Sequence, residues 1–97
     1  MDLEDYRKEI DKIDREITAL FYKRLEICDH IAEYKMQNDI SIENHEREVE
    51  ILDRVLTEVM DLGGDEPQMQ LTADLFSKIF DLSKLHQEYY FKREKKS

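Results

Sequence analysis

Residues 3–34 read LEDYRKEIDKIDREITALFYKRLEICDHIAEY, a run without a glycine or a proline. Leu3, Tyr6, Ile10, Ile13, Ile17, Leu20, Ile27, Ile31 and Tyr34 succeed one another in alternating steps of three and four, the spacing of one helical stripe. The run predicts a single helix of about nine turns, roughly 50 Å long. A compact chain of this size has a radius of gyration of about 13 Å, so such a helix must project from its own subunit. Another chain is the simplest cover for it. One residue breaks the stripe: the position between Leu20 and Ile27 belongs to Arg24.

The rest of the sequence supports an all-α fold. Of 97 residues, 40% are charged and 40% hydrophobic, and only two glycines and one proline are available to break helices. A single domain spanning 1–97 is expected, with a core thin enough to make oligomerisation attractive. The formal net charge of -9 argues against nucleic acid or an anionic membrane as the main partner. Neither a membrane span nor a signal peptide is visible, which points to a cytoplasmic protein. The single cysteine, Cys28, forms no internal disulfide and reads as a small buried hydrophobe.

The segment NDISIEN (38–44) is rich in residues that favour turns and caps and should end the first helix. A second helix carries Val49, Leu52, Val55, Leu56 and Val59 up to DLGGDEP (61–67), where Gly63 and Gly64 supply a C-cap and Pro67 suits the first turn of a third helix. That third helix places Phe76, Ile79, Phe80, Ser83, Gln87 and Tyr90 on one stripe. The tail KREKKS (92–97) puts positive charge at a helix C-terminus and reads as a solvated end.

Each helix therefore carries polar residues on the face expected to be apolar. Lys35 lies eleven residues after Arg24 and only about 20° from it around the helix. Glu48 precedes Leu52 by one turn, and Ser83 and Gln87 share the stripe of Phe76 and Phe80. Singly, each has an ordinary explanation: an interchain ion pair or snorkelling stem for Arg24, a helix-end cation for Lys35, first-turn acidity for Glu48, a satisfied core hydrogen bond for Ser83 and Gln87. Together, two cations, one anion and two neutral donors at core positions form a small polar pocket of positive balance. Such a pocket suits a small dianion.

These residues give the chain a resemblance to the all-helical chorismate mutases, over nearly its whole length. The match runs from YRKEIDKIDREITALFYKRLEICDHIAEYK (6–35) through IENHEREVEIL (42–52) to FDLSKLHQ (80–87). An arginine near the start, the Ile10-Asp11 and Ile13-Asp14 repeat, a mid-helix arginine, a later lysine, an Arg-Glu pair and a terminal Ser-x-x-x-Gln follow the family pattern as Arg7, Arg24, Lys35, Arg47, Glu48, Ser83 and Gln87. The resemblance implies three helices, one of them very long, in an intertwined homodimer that converts chorismate to prephenate for aromatic amino-acid biosynthesis. It implies that Arg24 and the other subunit's Arg7 clamp the two carboxylates, and that Lys35 and Gln87 donate to the ether oxygen. Glu48 would accept from the ring hydroxyl, with Arg47 and Ser83 at the carboxylate end. One position departs from the pattern: many relatives carry aspartate where this chain has Asn44, which also suits the cap of the second helix.

An intramolecular rearrangement asks for no nucleophile, no proton shuttle, no metal and no organic cofactor. His30, His45 and His86 show no evident pairing in the sequence, and no glycine-rich phosphate loop is present. Two other functions remain open at this level: an isochorismate pyruvate lyase, which resembles the mutases in fold, and a non-catalytic dimerisation module whose polar seam residues set register. Geometry adds one constraint. Arg7 and Arg24 are about 26 Å apart along a straight helix and about 100° apart around it, so both reach one small ligand only if Arg7 comes from a second, antiparallel chain.

Overall fold

The computed structural model describes residues 1–96, the last two of them in backbone only, so the tail 92–97 falls in part outside the described residues. It contains three helices and, among the described residues, no strand: α1 is Leu3–Gln37, α2 is His45–Asp61 and α3 is Glu66–Lys96.

Local chemistry sets each boundary. Asp2 and Asp5 exchange side-chain and backbone hydrogen bonds, both 3.0 Å, closing a capping box at the start of α1. At its end, the Asn38 amide donates to the Tyr34 carbonyl at 2.8 Å, and Asp39 takes the left-handed conformation, φ 57°, that turns the chain away. Asn44 caps α2 by accepting from the Arg47 N–H at 3.1 Å. Gly63 ends that helix with φ 92°, and at Gly64 a Cβ would lie 2.4 Å from Val59 Cγ1, so a side chain there would clash. Asp65 and Gln68 form the reciprocal cap of α3, at 2.9 and 3.0 Å, with Pro67 in the first turn.

Both α1 and α2 pack on α3 and not on each other. Ile51 and Val55 of α2 meet Phe80, with Leu52 and Phe76 at the edge of the cluster. The expected stripe on α2 is thus rotated, since Ile51 is buried whereas Val49 faces solvent. On α1 the residues buried are Cys28 and Ala32, small side chains that let α3 approach closely. They lie about 40° and 80° around the helix from Arg24.

The long apolar stripe of α1 has no cover within the chain. Every residue from Met1 to Leu20 is exposed, and Ile10, Ile13 and Ile17 keep half or more of their surface open. The molecule is correspondingly elongated, 54 × 28 × 15 Å with a radius of gyration of 16.8 Å. Among the described residues no helix is long and apolar enough to cross a membrane.

Candidate active site

The C-terminal part of α1, the first turn of α2 and the middle of α3 enclose a half-open cavity of about 340 Å³. Arg24 and Lys35 project from α1, Asn44, Arg47 and Glu48 from the start of α2, and Ser83 and Gln87 from α3. Seven of the eight residues expected at a site are therefore neighbours, although they are spread over sixty-four positions of the chain. The eighth, Arg7, is not among them. It stands on the exposed arm of α1, paired with Glu4 at 2.8 Å, and contributes nothing to the cavity of its own chain.

Hydrogen bonds orient the cavity wall. The Ser83 hydroxyl donates to the Ile79 carbonyl at 2.7 Å and accepts from Arg24 Nη1, which fixes the guanidinium while leaving it donors for an anion. Lys35 Nζ donates to the Ile42 carbonyl at 2.9 Å and to Gln87 Oε1 at 3.4 Å. A lysine only donates, so Gln87 must turn its oxygen toward Lys35 and present its NH₂ elsewhere. Burial pushes the Lys35 ammonium below the ordinary lysine value, against the opposing pull of Cys28 and Glu43. Both Ser83 and Gln87 are buried, as their places on the α3 stripe require.

The acidic side of the cavity is less free. Glu48 Oε2 lies 3.4 Å from Lys84 Nζ, which also contacts Glu43 Oε1 at 3.0 Å. Arg47 pairs with Glu50 at 2.7 Å across the outer face of α2. Glu43, His45 and Glu48 bring possible ligand atoms within 4.8 Å of one another. The Lys84 ammonium already bridges the two carboxylates, so the arrangement is that of an ion pair.

Two participants in the cavity, and one pair outside it, were not anticipated. Lys84 falls four residues after Phe80 and three before Gln87, on the stripe itself, and that spacing was the available signal. The Ile42 carbonyl is a backbone acceptor to which side-chain identity gives no clue. His86 does have a neighbour, since its Nε2 lies 2.9 Å from Asp29 Oδ1. That pair borders a separate apolar groove between α1 and α3, lined by Phe21, Leu25, Leu82 and Tyr89.

Fold and site together define a small helical protein whose cavity is lined by four cations, Arg24, Lys35, Arg47 and Lys84, and one carboxylate, Glu48. The chain belongs to the family described as chorismate mutase type II, whose pattern matches residues 6–88. It is 38% identical over 71 residues to the bifunctional chorismate mutase/prephenate dehydratase of Aquifex aeolicus, a match covering 72% of this chain and 20% of that protein. It is 44% identical over 50 residues to the T-protein of Haemophilus influenzae, covering 52% of this chain and 13% of that protein. The chain thus spans a fifth or less of the length of these relatives.

Proposed function

We propose that this protein is a chorismate mutase, acting as a single helical domain in a homodimer and supplying prephenate for aromatic amino-acid biosynthesis in the cytoplasm. The observation that carries the reading is the pairing of Lys35 with Gln87 in a cavity whose other wall is Arg24 held by Ser83. Family membership over residues 6–88 agrees with it.

In the rearrangement, the bond from the ether oxygen to the ring carbon breaks while the enolpyruvyl methylene bonds to the ring. All atoms stay in one molecule and no proton moves. Partial negative charge grows on the ether oxygen, so donors fixed beforehand on Lys35 and Gln87 stabilise the transition state more than the ground state. Arg24 and Arg7 of the partner subunit hold the two carboxylates, with Arg47 and Ser83 beside them. That clamp selects the folded conformer in which the reacting carbons face each other. Glu48 accepts from the ring hydroxyl, and Asn44 closes the cavity while capping α2.

The dimer is part of the same proposal. An 18-residue arm of α1 whose apolar stripe is at least half exposed along its length calls for a cover, and a second copy lying antiparallel covers it with an equivalent stripe. A chorismate consumption assay tests the function directly. Prephenate as the product is expected; pyruvate would indicate the lyase reaction, and no product would leave a dimerisation module.

A further inference from the structure

We infer that Lys84 is a positioning residue of this site, tying the connector between α1 and α2 to α3 and aiming the Glu48 carboxylate into the cavity. Its catalytic consequence rests on the chorismate mutase reading. The tether itself does not.

The need for such a device follows from the packing. Because α2 touches α3 and not α1, the distance between Glu48 on α2 and Lys35 on α1 is set only through α3 and the connector, residues 38–44. Two lysines grip that connector at consecutive residues from two different helices. Lys35 of α1 donates to the Ile42 carbonyl at 2.9 Å, and Lys84 of α3 donates to Glu43 Oε1 at 3.0 Å. The same Lys84 ammonium reaches Glu48 Oε2 at 3.4 Å. One side chain therefore links connector, α2 and α3 at the mouth of the cavity.

Chemistry assigns Lys84 to holding a neighbour rather than holding substrate. Its charge already faces two carboxylates, and a third anion would compete with them. With one Glu48 oxygen turned to Lys84, the other remains to accept from a ligand hydroxyl. Lys84 is raised and Glu43 lowered from their ordinary values, in both cases first through their mutual hydrogen bond. Lys35 lies close enough to Glu43 to act on it as well, and His45 Nε2 is 3.5 Å from the same carboxylate.

Lys84→Met keeps the aliphatic stem and removes the charge. It should lower kcat/KM roughly tenfold by loosening Glu48, and Lys84→Arg should recover most of the loss. In a double-mutant cycle, Lys84→Met should add nothing to Glu48→Gln, because the first acts through the second. In the ligand-free protein, hydrogen exchange of connector amides such as Ile40 should accelerate in Lys84→Met and not in Lys84→Arg. Effects that multiply in the cycle, or connector exchange that does not change, would overturn the assignment. If wild-type protein left chorismate unchanged while connector exchange still rose in Lys84→Met, the mutase reading would fail and the tether would stand. Should Lys84→Met not fold, Glu43→Ala removes the connector's end of the bridge while leaving the Lys84–Glu48 contact, and connector exchange should rise as in Lys84→Met; unchanged exchange would overturn the tether.

Discussion

The two ends of α1 share one helix and one apolar rhythm, yet they live in different surroundings. From Phe21 to Gln37 the helix meets α3, buries Cys28 and Ala32, and turns Arg24 and Lys35 into a cavity. From Leu3 to Leu20 it meets nothing, and each isoleucine of its stripe stands in solvent. A stripe of period near 3.5 marks a surface that will be covered, but says nothing about whose residues cover it. Arg24 sits where the two regimes join, about 40° from Cys28 on the α3 side and about 20° from Ile31 on the open side. A guanidinium at that border lines the subunit's own cavity, and on the proposed dimer it would also lie beside the chain that covers the arm. Arg7, exposed at the far end, lies away from its own chain's cavity, and on the proposed dimer it would serve another subunit.

The comparison is broken most forcefully at the cavity end. Lys35→Ala removes a charged donor from a partly desolvated wall and should cost about 3 kcal/mol or more in kcat/KM while leaving the fold intact. Steady-state kinetics with chorismate, alongside a helical circular dichroism spectrum, would measure it. Near-normal turnover would remove Lys35 from the chemistry.

At the arm end, Ile13→Asp places a carboxylate on the open stripe. Within one chain this substitution touches no core residue, so the cluster of Ile51, Val55 and Phe80 should survive. In the proposed dimer it would bury an unpaired charge, and sedimentation equilibrium should show a shift toward monomer with a roughly hundredfold loss of activity at low concentration. A variant that stays dimeric and active would show that the stripe is not the interface.

Substitution of the amide sharpens the division of labour between the two donors. In Gln87→Glu an ionised carboxylate would face the growing charge on the ether oxygen, whereas the protonated acid still donates. Activity should therefore rise as pH falls, by up to about tenfold per unit above the carboxyl pKa, and the wild type should lack this dependence. A smaller effect concerns Lys35. Because burial lowers its pKa, the donating ammonium is lost as pH rises, and the alkaline limb of kcat/KM should lie below the ordinary lysine value of 10.5. Any activity left in Lys35→Arg should lack that limb, since arginine does not titrate there.

Helix number, the turns at 38–44 and 61–65, and the polar residues that converge on the cavity were all readable from spacing and turn chemistry. The α3 stripe is buried or half-buried as its spacing implied, but the rotation of the α2 stripe was not readable. Ile51 is buried in place of Val49 because α2 docks on α3 alone, a choice made by tertiary packing and not by the periodicity of α2. Lys84 escaped notice because a lysine on a helix reads as a solvated charge unless its partners are known, and Glu43 and Glu48 lie about forty residues away. The Ile42 carbonyl belongs to backbone geometry, which side-chain identity does not encode. Asn44 shows the opposite case, a residue whose capping role followed from its type and place.

The claim that one reaction site draws on both ends of two helices is tested most directly by mixing two damaged proteins. Arg7→Ala and Gln87→Ala homodimers should each be severely impaired, since every site lacks one group. In a heterodimer, the site on the Arg7→Ala chain keeps its own Gln87 and receives an intact Arg7 from its partner, while the other site lacks both. Co-refolded and isolated heterodimers should therefore form prephenate at up to about half the wild-type rate, one intact site of two. Heterodimers as inactive as their parents would contradict the shared site.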